Sequence, residues 1–221
     1  MMQRVPEPEL MDDPEQARAY ASADFSEPHQ AFLDRFVRCF PRHRPRQVLD
    51  LGCGAADITI RFARHYPDAA LTGVDGAPPM LAAAHAAVAQ TALGRRIRLI
   101  EARLPETVLP RHAYDTVISN SLLHHLHDPQ TLWRGVSEYA ARGAALFIMD
   151  LRRPDSRERA RELVEEYAGA EPELLKRDFL NSLLAAFRPE EIGAQLEQAG
   201  FTRLKVEAEG DRHVIVYGNS G

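Results

Sequence analysis

Long apolar runs are missing from this chain: the longest, residues 144–149 (AALFIM), falls far short of the roughly 20 residues that span a bilayer. The first residues, MMQRVPEPELMDD, are polar and acidic, so neither a signal peptide nor a membrane anchor is expected. Cysteine is scarce. Cys39 and Cys53 make no metal-spaced pair and no disulfide framework, a usage that fits a reducing compartment and a cytoplasmic protein. Net positive charge is lacking as well: the formal charge is -5 and the pI about 6.0, which excludes a global field drawing the chain onto nucleic acid or anionic lipid. Lysine occurs only at Lys176 and Lys205, so nearly all of the 27 basic residues are arginine, a bias of composition rather than of chemistry. What is present is 221 residues with 45% hydrophobic and 27% charged content, enough to bury a substantial core in one globular domain.

Residues 1–45 are polar and form an expected helical cap, with one helix opened by Asp13-Pro14 and a second by Ser26-Glu27-Pro28, where a capping side chain precedes an early proline. Phe32, Phe36 and Phe40 recur every four residues and give the second helix an apolar stripe. From residue 46 to 221 a single domain is expected. Short apolar runs at 48–51, 70–74, 97–100, 116–119 and 144–150 alternate with helical patterns, which predicts five buried parallel strands between helical layers. The runs at 202–208 and 213–217 are separated by about four residues, too few for a parallel crossover, so they predict an antiparallel terminal hairpin. Together these make a doubly wound, mostly parallel seven-stranded α/β sheet. Residues 151–187 hold helical patterns and no strand, and are expected to insert as a helical lid.

The segment VLDLGCGAAD places a small-residue turn between a buried strand and a helix, and Asp75 ends the next strand 21 positions after Gly54. At that spacing a carboxylate accepts hydrogen bonds from ribose hydroxyls, which points to an adenosine-bearing cofactor. The third glycine of the dinucleotide fingerprint is replaced by Asp57, and Asp50 would repel a pyrophosphate but attract an ammonium. A zwitterionic amino-acid tail fits this turn better than a dinucleotide.

VLDLGCGAAD, GVDGAPPML and YDTVISNSLLHHLHDP together resemble the class I S-adenosylmethionine-dependent methyltransferases over residues 47–217. The family's usual glycine two residues after Gly54 is Ala56 here. The resemblance implies a Rossmann-like fold and S-adenosyl-L-methionine as cofactor. It implies that Asp50, Gly52, Cys53 and Gly54 surround the methionine part, with Asp75 and Gly76 at the ribose and Met80 against the adenine. Arg103 and Leu104 then stand at the adenine edge, with Arg103 where many relatives carry an acid. Ser119, Asn120 and Ser121 border the methionine amine and the methyl, and Tyr20 and Phe25 close the site from the N-terminal segment.

His124, His125 and His127 lie within four residues, but the carboxylate or cysteine partners a metal would need have no matching spacing elsewhere, so no metal site is expected. The resemblance makes His124 and His125 the candidate catalytic bases. Arg152, Arg153, Arg177 and Arg212 could face one pocket, where they would suit an anionic acceptor such as a carboxylate. Cys39 reads as a buried hydrophobe. The expected activity is transfer of the sulfonium methyl to a small molecule by in-line displacement, with neither nucleic acid nor membrane as partner. The alternatives are other chemistry on the same cofactor, a noncatalytic binding protein, an RNA methyltransferase, and a nicotinamide-dependent oxidoreductase disfavoured by Asp57 and the terminal hairpin.

Overall fold

Each buried strand of the computed structural model, which describes residues 2–106 and 109–221, sends alternate side chains to opposite faces of one sheet. Strands β1 (Gln47–Leu51), β2 (Ala70–Asp75), β3 (Ile97–Glu101), β4 (Tyr114–Asn120) and β5 (Ala140–Leu151) run parallel, and β6 (Lys205–Glu209) and β7 (His213–Asn219) form the terminal hairpin. The order is β3-β2-β1-β4-β5-β7-β6, with β7 antiparallel to both of its neighbours. The strand order reverses between β1 and β4, the place where ligands bind in open parallel sheets. The seven-stranded sheet and its reversed hairpin are those read from the sequence. Strand β5 starts earlier than expected, because Ala140 already pairs with Tyr114 before a register shift around Gly143 (φ +77°).

On one face Val48, Ile118, Phe147 and Ile215 pack against helices α2 (Ser26–Cys39) and α3 (Asp57–His65) through Phe32, Phe36 and Phe62. Phe32 meets Phe147 edge-on at 5.0 Å between centroids, and Phe36 meets Phe62 at 4.9 Å. On the other face Leu49, Leu51, Val117, Leu146 and Ile148 meet helices α5 (Gln130–Tyr139) and α8 (Pro189–Gln198) through Leu132, Trp133, Ile192 and Leu196. Helix α4 (Pro78–Ala89) follows β2 and sends Ala84 and Val88 to the α2–α3 side. Burying an aromatic or aliphatic side chain of this size stabilises the fold by about 1.5–3 kcal/mol, so these two clusters hold the sheet rigid.

The N-terminal residues divide three ways instead of forming one cap. Helix α2 belongs to the core. Helix α1 (Pro14–Ser22), capped by Asp13, which accepts from the backbone N–H of Glu15 at 2.7 Å, leans on α4 through Ala17, Ala77 and Met80. The second cap also differs from the expected one: Ser26 lies inside α2, and Asp24 accepts its N–H at 2.9 Å. Residues 2–12 run as a strap across the turn after β4 and along helix α7 (Glu173–Ala185). Helix α6 (Arg157–Ala168), capped by Ser156, pairs with α7 through Leu163, Val164, Leu183 and Leu184, forming the inserted helical unit.

Candidate functional site

The glycine turn after β1 is tied to the end of β2 by backbone groups. Gly52 and Cys53 both donate to the carbonyl of Val74, at 2.8 and 3.0 Å. Gly54 donates to Asp75 Oδ2 and Ala77 to Asp75 Oδ1, each at 2.9 Å. Asp75 is thus fixed at the carboxyl edge of the sheet. Burial raises its pKa, and the backbone donors Ala77, Gly54 and Gly76 oppose that rise. Gly52 and Gly54 have φ of +73° and +53°, and a Cβ on Gly52 would stand 3.0 Å from the Leu122 side chain. Glycine is required there on both grounds.

This turn lines a cavity of about 480 Å³, within the size range of small-molecule sites. Of the residues expected to hold the cofactor, Gly52, Gly54, Asp75, Gly76, Met80, Arg103, Leu104, Asn120, Ser121 and Tyr20 all line it. Asp50 and Cys53 do not. Asp50 is 2% exposed and accepts a 2.6 Å hydrogen bond from Thr59 Oγ1 of α3, because strand alternation turns it to the same side as Val48. Burial pushes its carboxyl up to about 7. Cys53 packs over Gly73, where a Cβ would meet its sulfur at 2.9 Å. Ser119 likewise points into the sheet and donates to the Leu51 carbonyl at 2.7 Å. Tyr20 and Phe25 stack at 4.6 Å between centroids over one end of the cavity, and burial drives the Tyr20 phenol up to about 12.

The far end is built from distant segments. After β4, Ser121 adopts φ +55° and donates to Met149 O at 2.9 Å, and Leu123–His125 form a 3-10 turn. Asp150, at the end of β5, accepts from Leu123 N and Leu151 N at 2.7 Å each and pairs through Oδ1 with His124 Nδ1. Glu7 of the strap places Oε1 3.4 Å from His124 Nε2 and 3.3 Å from His125 Nδ1, while Ser182 donates to Oε2 at 3.3 Å. Arg4 braces the same turn by donating to the carbonyls of Ala185, His124 and Leu126, and it lies 4.0 Å above the Phe187 ring. Sequence spacing does not connect Glu7 or Arg4 to this turn. Only the docked strap does.

The same surroundings act on the two histidines in opposite directions. Burial, reinforced by His124, pushes His125 down to about 3, which makes it a weak proton acceptor near neutrality. Burial also opposes charge on His124, but Asp150 and Glu7 outweigh it and hold its pKa above the usual value, with Nδ1 paired to Asp150. The expected group of arginines does not assemble either. Arg152 bonds the carbonyls of Gly210 and Asp211, Arg153 is buried on Ala186 and Glu191, and Arg177 lies beside Asp178. Arg212 lines the cavity, stacked 3.3 Å over the Tyr167 ring.

Residues 48–143 match a family model described as a methyltransferase domain. The chain is 38% identical over 94 residues to a trans-aconitate 2-methyltransferase of Streptomyces avermitilis, a match covering 42% of this chain and 34% of that one. Its fold matches a putative S-adenosyl-L-methionine-dependent methyltransferase of Methanococcus maripaludis with a TM-score of 0.74 at 15% identity, over 98% of both chains. It also matches a plantazolicin methyltransferase solved with SAH, with a TM-score of 0.71 at 13% identity, over 95% of this chain and 91% of that one. These two likenesses establish the fold. The matched stretches take in 31–53% of the length of these curated relatives. Among the described residues no helix is long and apolar enough to cross a membrane.

Proposed function

We propose that this chain, which belongs to the class I S-adenosylmethionine-dependent methyltransferases, transfers a methyl group to a small molecule held between the glycine turn and the inserted helices. The observation that carries the reading is the joint cradle of Gly52, Gly54 and Asp75, in which a carboxylate and a close-approach backbone are hydrogen-bonded into one unit at the reversal of strand order. The residues suit the cofactor: Asp75 offers an acceptor to ribose hydroxyls, while Met80, Ala102 and Leu104 give an apolar wall for a flat base. Asn120 and Ser121 stand at the end of β4, where the amino-acid tail would lie. When bound, the cofactor supplies an electrophilic methyl on a sulfonium, the reactive part of the chemistry.

The chain's own work is alignment and exclusion of water, and holding reactants in a near-attack geometry can remove roughly 7–11 kcal/mol from a barrier. Tyr20 and Phe25 cover one end, and Leu175, Phe179 and Ser182 of α7 enclose the other. His124 and His125 act there as positioning groups, fixed by Asp150 and Glu7. The lining also carries Glu9, Asp24, Glu27, Asp75, Glu171 and Asp178 against Arg103 and Arg212. That balance favours a neutral or cationic acceptor over an anionic one, and over RNA. The relative named for trans-aconitate points the other way. Calorimetric titration with S-adenosylhomocysteine, followed by a screen for methyl incorporation into cationic, neutral and anionic small molecules, tests the reading. Absence of cofactor binding by the folded chain would end it.

A further inference from the structure

We propose that Glu7, His124 and His125 form a binding site for a divalent transition-metal ion, zinc by donor chemistry, at the acceptor end of the cavity. A carboxylate with two imidazoles is a zinc donor set that leaves a coordination position open. Glu7 Oε1 lies 3.3 Å from His125 Nδ1 and 3.4 Å from His124 Nε2, and all three donor atoms are within 4.8 Å of one another. A tetrahedral ion with bonds of about 2.0–2.1 Å holds its donors about 3.3–3.4 Å apart.

Two further observations favour an ion over a plain ion pair. The Glu7 side chain is nine-tenths buried, yet its Oε1 accepts no hydrogen bond, although two ring nitrogens face it. A buried carboxylate oxygen without a partner is costly, and a cation between it and the rings would satisfy all three. Behind the donors, Asp150 holds His124 Nδ1 and is itself fixed by Leu123 N and Leu151 N, which is the carboxylate–histidine support that orients metal-ligating imidazoles. His125 Nδ1 also lies 3.4 Å from the Pro8 carbonyl, a long contact that coordination would replace. Arg4 is engaged with the carbonyls of His124, Leu126 and Ala185.

The ion site stands apart from the methyl-transfer reading; its chemical use rests on it. An ion here would offer its open position to a hydroxyl or thiol of the acceptor and lower that group's pKa, the proton passing to solvent. The test uses the full chain, stripped with chelator and titrated calorimetrically with zinc chloride, then with cobalt chloride followed by visible absorption. The expected result is one zinc per chain and the intense visible bands of four- or five-coordinate cobalt. Glu7→Gln and His125→Gln should each weaken zinc binding by about 100-fold or more, and Asp150→Asn, which leaves the donors in place, by about 10–100-fold. Circular dichroism and S-adenosylhomocysteine affinity on the same samples establish that each variant is folded, and they keep the cofactor reading separate from the metal one. A folded wild type that takes up no zinc, or variants that bind it as the wild type does, would overturn the site.

Discussion

The two ends of the cavity are built in opposite ways. The glycine-turn end comes from adjacent strands, and its ties are backbone groups: Gly52 and Cys53 to Val74, Gly54 and Ala77 to Asp75. The histidine end joins a strap at residues 4–7, a turn at 123–125, the end of β5 and the inserted α7, and side chains make most of its ties, beside the backbone bonds Val5 N to Leu184 O and Ser121 N to Met149 O. Backbone ties are fixed once the sheet forms, whereas side-chain ties across more than 100 residues hold only while the strap stays docked. The first end is therefore expected to bind its ligand rigidly, and the second to open and close.

The largest expected effect strikes the rigid end. Asp75→Ala removes the acceptor of the Gly54 and Ala77 N–H groups together with the proposed ribose contact. Hydrogen bonds to a charged group contribute about 1.5–3 kcal/mol each, so S-adenosylhomocysteine affinity should fall by about 100-fold or more. Calorimetry on the folded variant checks this, and a loss below tenfold would mean that the cradle is not the cofactor site.

A second test concerns the buried Asp50 behind the same turn. Its folded-state pKa, raised to about 7 by burial, lies above the ordinary 3.8, so the native state holds a proton that the unfolded chain has released between those values. The stability this contributes is complete below about pH 4 and is lost as pH rises through 7, at up to about 1.4 kcal/mol per pH unit. Asp50→Asn keeps an acceptor for Thr59 Oγ1 and removes the titration. Urea unfolding at pH 5 and pH 8 should show a steeper fall for wild type than for the variant, and parallel falls would refute the assignment.

At the adaptable end, Arg4→Ala removes the donors to three carbonyls and the contact with Phe187. Since Arg4 is only part-buried, the expected cost is about 1–3 kcal/mol. Hydrogen exchange should rise in the strap and the 123–126 turn, while S-adenosylhomocysteine affinity stays within about twofold. A matching loss of cofactor affinity would show that the two ends are coupled rather than separate.

The same division decides what was legible in the sequence. The strands, the terminal hairpin and the turn could be read because alternation, short connections and glycine spacing are local properties. Resemblance places Asp50 at the cofactor, although two-residue alternation with Val48 turns it toward α3. Arg152, Arg153 and Arg212 sit near strand ends and Arg177 in the inserted helices, an order that suggests one shared pocket. The directions of Arg152 and Arg153 depend on carbonyls of the β6–β7 turn and on Glu191, which no spacing reveals, whereas the partner of Arg177 is its sequence neighbour Asp178. Glu7 and Arg4 sit in a polar segment without periodicity, and their partners lie more than 115 residues away. The carboxylate beside the histidines is Glu7, whose proximity is a property of the fold and not of spacing.

The smallest effect concerns the two left-handed residues of the turn that differ in type. Ala56 has φ +66° and is fully buried among Phe32, Ile60 and their neighbours, whereas Gly54 has φ +53° and faces the cavity. A left-handed alanine costs roughly 1–2 kcal/mol. Ala56→Gly relieves that strain but gives up about 0.8 kcal/mol of methyl burial and adds about 0.4–1 kcal/mol of unfolded-chain entropy, so its net change should stay within about 1 kcal/mol. Gly54→Ala lacks the burial term and regains only about 0.4–1 kcal/mol of unfolded-chain entropy. Its methyl would meet Met80 Cε at 3.3 Å, so it should cost about 1–2 kcal/mol and weaken cofactor binding as well. Denaturant midpoints of the two single variants decide the matter: alanine is affordable at 56 because the core repays it, and a stabilisation by Ala56→Gly well above 1 kcal/mol would show that the core does not.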